Sequence, residues 1–337
     1  MSPAPVVFSA VPTLFGSDGE VDRGANQALY KYLAGLVDGL FVAGTTGEFP
    51  ALDEGERLSL IELALAEAGP DRVIAHIGAS DARHSARLAS AASALGATRL
   101  AAITPYYLPV RADELTAHFG QVRDAVPDAE LYAYIFPERT GVRVPPPLFA
   151  AVASAAGLAG AKLSGSAAAE LAGYVAAAPG RRILSGDDAN PAATMRAGGA
   201  GLISGRSSAY PEVYAALVAA LGSGDLDAVA RHQQILYRIV ALGASIGRLK
   251  YALQLRGLGG TTARMTVDPP DASLAVAIAA EVAALLSAFL VNQRSGWRVL
   301  SFEARRKRGA GPQIGSVIVR VPGSRPGESG APDSWPV

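Results

Sequence analysis

Lys162 lies inside an apolar run, GLAGAKLSGS, where a charged side chain is unusual. Burial disfavours the charged form of lysine and lowers its pKa, and the neutral amine that results can attack a ketone to form a Schiff base. The alternative is a structural lysine whose stem packs on apolar neighbours while its ammonium reaches water. Lysine occurs at only four positions, Lys31, Lys162, Lys250 and Lys307, among the 30 basic residues, so its use here is selective.

Side chains with hydroxyl groups recur in motifs that could serve such an amine. Tyr134, in LYAYIFP, and Tyr107, in TPYY, carry phenols that can transfer protons while an imine forms. Thr45 and Thr46, in GTTGE, stand between glycines, and their hydroxyls together with the N–H groups of such a turn can bind a carboxylate. Each motif has a structural alternative, because a buried tyrosine is commonly part of a core and GTTGE is also a tight turn from strand to helix.

Eight short apolar runs must position these residues, and stretches with helical periodicity separate the runs. The runs begin near positions 6, 39, 72, 99, 131, 158, 182 and 201. Continuous apolar strands between amphipathic helices are typical of a parallel sheet whose outer face is covered. The count of eight predicts an α/β fold, a (β/α)8 TIM barrel, with a doubly wound open sheet as the competing architecture. Between the second and third runs, Asp53 and Glu56 form a capping-box pattern that opens a helix ending at Gly69.

Further polar residues follow the predicted strands. A (β/α)8 barrel collects its working residues at the carboxyl ends of its strands, because the loops there meet at one mouth. Arg139, in FPERTG, and Arg206, in ISGR, fall in such positions, as does the apolar Ile203 before Arg206, and we take Ile203 and Arg206 as substrate contacts. Arg206 either binds a second anionic group or pairs with a loop carboxylate. Asp187 and Asp188, in SGDD, predict a turn or a helix cap.

The chain divides into three parts by composition. Residues 1–222 are predicted to form the catalytic barrel, and residues 223–293 an appended helical region, a C-terminal helical extension of the barrel. Residues 294–337 are rich in glycine, proline and arginine and lack periodicity, which predicts a disordered tail.

Composition also excludes several classes of function. The 30 basic and 30 acidic residues cancel, so no global charge attracts nucleic acid or a membrane surface, and a small-molecule substrate is expected. Cysteine is absent, and the four histidines lack ligand spacing, so we predict no metal site. No phosphate loop or dinucleotide fingerprint occurs, so we predict no cofactor. No apolar run is long enough to cross a membrane, and the N-terminus lacks the charge pattern of a signal peptide, so we predict a cytoplasmic protein.

The motifs GTTGE, TPYY, YIFPERTG and the run around Lys162, in this order, resemble the pyruvate-dependent class I aldolase superfamily. That superfamily includes dihydrodipicolinate synthase, N-acetylneuraminate lyase and 2-keto-3-deoxy sugar-acid aldolases. The resemblance extends from AVPTLFGSDGEVD to RLKYALQLRGLGG, about three quarters of the chain. It implies a (β/α)8 barrel with a C-terminal helical part.

The resemblance also implies roles for the matching residues. Lys162 would form the Schiff base, Tyr134 would transfer protons, and Thr45 with Thr46 would bind the carboxylate and relay protons. Tyr107 matches the tyrosine that completes the relay of a neighbouring subunit in the family. We therefore expect a homodimer or homotetramer.

Other positions bear on the second substrate. Arg139 matches the arginine that meets the second substrate's carboxylate in dihydrodipicolinate synthases. The sequence departs from those synthases at Ile135, where Asn is usual, at Leu163, where an acidic residue is usual, and at GASIGRLK, which replaces Asn-Pro-x-Pro-Val-Lys. These departures, and SSAYPE after Arg206, are closer to the sugar-acid aldolases.

We therefore predict a Schiff-base lyase that makes or breaks a carbon–carbon bond between pyruvate, or another 2-oxo acid, and an aldehyde, most like 4-hydroxy-tetrahydrodipicolinate synthase. The alternative enzyme is a 2-keto-3-deoxy sugar-acid aldolase or dehydratase. An alternative of another class is a non-catalytic barrel that binds a 2-oxo acid.

Overall fold

The computed structural model describes residues 5–292. Within them, eight parallel strands pair in chain order and close into a barrel. The strands are β1 (Val6–Ala10), β2 (Gly39–Val42), β3 (Val73–His76), β4 (Arg99–Ile103), β5 (Glu130–Ile135), β6 (Gly160–Leu163), β7 (Arg182–Ser185) and β8 (Gly201–Ser204). The predicted (β/α)8 barrel is confirmed, and the doubly wound open sheet is wrong, because β1 pairs with β8.

Helices follow the strands on the outside of the barrel. Those between the strands are α1 (Arg23–Ala34), α2 (Glu54–Ala68), α3 (Ala82–Ala94), α4 (Ala112–Ala125), α5 (Pro137–Thr140), α6 (Pro146–Ala155), α7 (Ser166–Ala169), α8 (Leu171–Ala177) and α9 (Pro191–Arg196). Those after β8 are α10 (Pro211–Ser223), α11 (Leu226–Ala241), α12 (Ile246–Leu255) and α13 (Ala272–Asn292).

The apolar runs locate the strands closely. The largest difference lies at β6, which is predicted from position 158 and begins at Gly160. The start of α2 is also confirmed: the Asp53 side chain accepts from the Glu56 N–H, the Glu56 side chain accepts from the Asp53 N–H, and Gly69 follows the last turn. These signals are local, so the sequence alone contains them.

Successive residues of each strand point to opposite sides of the barrel wall. One set, which includes Val7, Leu40 and Leu131, packs against the helices. The other set fills the interior, and its large members include Phe41 and Tyr134. Lys162 belongs to the second set, because β6 pairs with β5 in a register that places it beside Tyr134.

The region after β8 returns to the barrel. Helix α12 packs against α13, and residues 244–249, around its first turn, reach the carboxyl ends of the strands. Within residues 5–292, no helix combines the length and the apolar character needed to cross a membrane. The division at residues 222 and 293 stays a prediction, and the predicted tail, residues 294–337, lies outside the described residues.

Candidate active site

A cavity of about 450 Å³ opens at the carboxyl ends of the strands. Residues of β1, β5, β6 and β8 and of the loops after β2, β5, β6, β7 and β8 line it, together with residues of the helical region after β8. Most of the residues predicted from the sequence line this one cavity: Thr45, Thr46, Tyr134, Arg139, Lys162, Ile203 and Arg206. Residues far apart in the chain therefore meet where a (β/α)8 barrel places its chemistry.

Lys162 lies at the base of the cavity with little access to water, its residue being 4% exposed. Its Nζ is 4.1 Å from the centre of the Phe41 ring and 4.2 Å from that of Tyr134. Burial lowers the pKa of Lys162 from 10.5 to about 7, and the negative charge of Asp188 opposes this shift in part. At pH 7 the Lys162 amine is therefore neutral in about half of the protein molecules. For an exposed lysine the neutral fraction is only a few molecules in ten thousand.

The phenol of Tyr134 is the polar group beside this amine. Its Oη shares a hydrogen bond of 3.1 Å with Oγ1 of Thr45. Burial raises the pKa of Tyr134, and the hydrogen bond from Thr45 opposes this shift in part. The phenol thus holds its proton at neutral pH, and a hydroxyl next to it can accept or supply a proton.

The turn after β2 presents unused backbone donors to the same space. It is closed by hydrogen bonds from the Glu48 N–H to the Thr45 carbonyl, 3.0 Å, and from the Phe49 N–H to the Gly44 carbonyl, 3.2 Å. Within residues 5–292, the N–H groups of Thr45 and Thr46 donate to no other backbone or side-chain atom. Two adjacent free N–H groups and two hydroxyls suit a carboxylate.

Arg206 forms an ion pair with Asp188 in the cavity wall. Oδ2 of Asp188 also accepts hydrogen bonds from the Ser204 hydroxyl, 2.9 Å, and from the N–H of Arg206, 3.1 Å. Of the two expectations for Arg206, pairing with a loop carboxylate is the one observed. Asp187 makes the predicted turn, because its Oδ1 accepts from the Ala189 N–H. The prediction of a plain turn or cap is wrong for Asp188, because its side chain forms this ion pair and lines the cavity.

Arg139 stands nearer to solvent, in α5. Its guanidinium lies 5.7 Å from the centre of the Phe136 ring. Among residues 5–292, no carboxylate pairs with it, in contrast to Arg206. Its charge is therefore available to an anionic group entering the cavity.

Tyr107 does not line the cavity. The residue is 92% exposed and has a φ of 83°, in the left-handed region that residues other than glycine seldom adopt. Leu108 beside it is 68% exposed. Within one chain the phenol of Tyr107 is thus separate from Lys162.

The outer wall of the cavity consists of residues that no sequence motif indicates. Ser245, Leu249, Thr266 and Asp268, from the helical region after β8, line it, as does Ser164 after β6. That region carries only the periodicity of helices, which indicates burial but not where the helices pack. In the described part of the chain, no group of three His, Asp or Glu side chains converges as metal ligands do.

Comparison with known proteins places these features in context. Residues 4–289 match the Dihydrodipicolinate synthetase family. A 4-hydroxy-tetrahydrodipicolinate synthase of Acidothermus cellulolyticus is 33% identical over 272 residues, which cover 78% of this chain and 87% of that protein.

Two solved structures show the same architecture. YagE, a prophage protein of the dihydrodipicolinic acid synthase family from E. coli K12, was solved in complex with pyruvate. Its TM-score to this chain is 0.77 at 28% identity, over 83% of this chain and 98% of YagE. A monomeric dihydrodipicolinate synthase variant has a TM-score of 0.77 at 26% identity, over 84% of this chain and 97% of the variant.

Proposed function

This chain belongs to the dihydrodipicolinate synthetase family of Schiff-base lyases, and we propose from that premise that it joins pyruvate to an aldehyde through an imine on Lys162. The observation that carries the proposal is the buried amine itself. Burial lowers the pKa of Lys162 to about 7, and its Nζ lies 4.2 Å from the centre of the Tyr134 ring. Pyruvate is the 2-oxo acid chosen because the related YagE was solved with it.

The imine forms by attack of the neutral Lys162 amine on the ketone carbon of pyruvate. The carbinolamine that results loses its hydroxyl as water, for which a proton must be supplied. Tyr134 is the proposed donor, and Thr45, 3.1 Å from its Oη, is the proposed route by which the proton is replaced. The iminium then withdraws electrons from the neighbouring methyl group, which loses a proton to give an enamine.

The enamine carbon attacks the carbonyl carbon of the aldehyde, and a carbon–carbon bond forms. The alkoxide oxygen takes up a proton, and water then hydrolyses the imine, which frees the product and restores the Lys162 amine. The reverse sequence cleaves the same bond. Through these steps, we propose that Thr45 and Thr46 hold the pyruvate carboxylate with the N–H and hydroxyl groups that their turn leaves open.

Tyr107 is proposed to serve the relay of a neighbouring subunit rather than that of its own chain. Its exposure and its absence from the cavity lining support this role. We accordingly propose a homodimer or homotetramer. The monomeric synthase variant among the related structures shows that assembly is not universal in the family, so analytical ultracentrifugation of this protein decides the point. A cytoplasmic location stays a prediction.

The second substrate is proposed to be an aldehyde that carries a carboxylate, as in 4-hydroxy-tetrahydrodipicolinate synthase. The support is Arg139, which lines the cavity and has no acidic partner within residues 5–292. Ile203, also in the lining, is proposed to contact the substrate through its apolar surface.

A 2-keto-3-deoxy sugar-acid aldolase or dehydratase is the second candidate. The Asp188–Arg206 pair and the hydroxyls of Ser164 and Ser245 line the cavity and could bind the hydroxyl groups of a sugar acid. A panel of aldehydes assayed with pyruvate, half with a carboxylate and half with hydroxyl groups only, separates the candidates by their kcat/KM values.

The chemistry itself is tested by trapping. The protein is incubated with pyruvate, reduced with borohydride and digested, and the added mass is located. The proposal predicts one reduced pyruvate on Lys162 and none in Lys162→Met. If neither pyruvate nor any other 2-oxo acid formed an adduct, the Schiff-base mechanism would be wrong, and the non-catalytic binding barrel would be the remaining alternative.

A further inference from the structure

Glu48 lies two residues after Thr46, and it is completely buried although it carries a carboxyl group. Its φ of 56° and ψ of 37° place it in the left-handed region, which residues with a Cβ seldom occupy. A strained backbone persists only where the surroundings hold it in place. The contacts of the side chain show what does so here.

Within residues 5–292, all hydrogen bonds to the Glu48 carboxylate come from the region after β8. Its Oε1 accepts from Nζ of Lys250, in α12, at 2.5 Å. Its Oε2 accepts from the N–H groups of Arg264, at 2.9 Å, and Met265, at 2.8 Å. The charge of one residue in the turn after β2 therefore fixes three points of a region more than 200 residues further along the chain.

Lys250, the partner of Glu48, makes further contacts of its own. It is as buried as Glu48, and its Nζ also donates to the carbonyl of Thr262, at 2.7 Å, and lies 4.5 Å from the centre of the Phe15 ring. The ammonium thus joins α12 to the segment 262–265. Two charges removed from water together are costly and are seldom retained for stability alone, because an apolar pair of the same volume commonly serves as well.

The position of this pair links the two sides of the cavity. Thr45 and Thr46, on the same turn as Glu48, line one side. Leu249, adjacent to Lys250, and Thr266, adjacent to Met265, line the outer wall. If the outer wall moved relative to the Thr45–Thr46 turn, the distance between the two would change. The turn is the proposed site of the pyruvate carboxylate, and the wall is the surface that the aldehyde would contact.

We propose that Glu48 and Lys250 are positioning residues that hold the outer wall of the cavity in register with the Thr45–Thr46 turn. The inference rests on the proposed function in one respect: the substrates whose placement depends on this register are pyruvate and the aldehyde. Neither residue touches substrate. Their ion pair sets the position of the outer wall relative to the Thr45–Thr46 turn, and residues of the wall and the turn contact the substrates.

Two variants test the pair, and a third is the matched control. Glu48→Gln keeps the shape of the side chain but directs a neutral amide toward the Lys250 ammonium. Lys250→Met keeps the stem and removes the charge. The control is Glu212→Gln, because Glu212, in α10, forms a largely buried ion pair with Arg256, just after α12, at 2.7 Å, and neither residue lines the cavity.

Hydrogen–deuterium exchange of the full chain measures the register without substrate. Glu48→Gln and Lys250→Met should speed exchange in peptides covering both 44–49 and 262–268, whereas Glu212→Gln should leave those peptides protected. Unchanged exchange at 262–268 in Glu48→Gln overturns the inference. This result stands whether or not the protein forms a Schiff base, so it is separable from a failure of the trapping experiment.

Kinetics measure the consequence for the site. On folded, fully assembled protein, Glu48→Gln should lower kcat/KM on the order of tenfold through a higher KM for the aldehyde, because small displacements of substrate-positioning groups have effects of this size or larger. Glu212→Gln should change kcat/KM by less than about twofold even if it unfolds at a lower temperature. Faster exchange in Glu48→Gln with unaltered KM and kcat would assign the pair to stability alone and would overturn the positioning role.

Discussion

Lys162→Met should make the folded protein more stable at neutral pH, although it removes the proposed nucleophile. Folding lowers the pKa of Lys162 from 10.5 to about 7 because the ammonium loses its water. A tenfold change in a proton-binding constant corresponds to about 1.4 kcal/mol, so the buried amine destabilises the folded state by up to about 4 kcal/mol at pH 7. Methionine fills a similar volume without a charge, and the substitution should recover part of this free energy of unfolding.

The sign of the pH dependence follows from the same pKa. Between about pH 7 and 10.5 the unfolded chain binds more protons at this position than the folded chain, so wild-type stability rises with pH across this window. Lys162→Met lacks that contribution, and its advantage should shrink as pH rises toward 10.

Urea unfolding at pH 7 and pH 9.5, at one protein concentration because assembly also stabilises, measures both effects. The control is Lys250→Met, which leaves Glu48 buried without its partner and should destabilise by about 3 to 5 kcal/mol. The reasoning is refuted if Lys162→Met is less stable than wild type at pH 7, or if the difference between them does not change with pH.

Four further outcomes follow from the site. The rate of borohydride trapping with pyruvate should rise with pH through about 7, and a rise centred near pH 10 would contradict the burial argument. Asp188→Asn should move this rise to lower pH, because the negative charge of Asp188 raises the pKa of Lys162. Tyr134→Phe should slow imine formation by about 10²-fold to 10⁴-fold with little change in the far-UV circular dichroism, and an unchanged trapping rate would remove the phenol from the relay. Arg139→Met should raise the KM of a carboxylate-bearing aldehyde by about tenfold and leave pyruvate trapping unaltered. Arg206→Met should instead destabilise the fold by about 3 kcal/mol, because it leaves the Asp188 carboxylate without its ion-pair partner, and thermal unfolding measures this loss.

The barrel could be predicted from the sequence because its signals are local. Buried parallel strands must be apolar along their whole length, and each run in this chain begins close to an observed strand. The capping box at Asp53 requires only the identity of two residues three positions apart.

The candidate site could be predicted only in part. The sequence predicts that Lys162, Tyr134 and the two threonines lie together at one cavity, because polar residues at strand ends contrast with the apolar runs, but their catalytic roles stay predictions. The ion pair of Asp188 could not be predicted, because the sequence around a carboxylate after a strand is the same whether the side chain caps a turn or pairs with Arg206. The contacts of the region after β8 could not be predicted either, because Glu48 and Lys250 are 202 positions apart and nothing in the sequence indicates that their side chains meet.

The central claim is that Lys162 holds pyruvate as an imine whose carboxylate lies on the Thr45–Thr46 turn. A crystal structure of the protein soaked with pyruvate tests it most directly. We expect continuous density from Nζ of Lys162 to the second carbon of pyruvate, with the carboxylate oxygens within hydrogen-bond distance of the N–H groups of Thr45 and Thr46. Pyruvate bound elsewhere in the cavity, or bound without a bond to Lys162, would contradict the account.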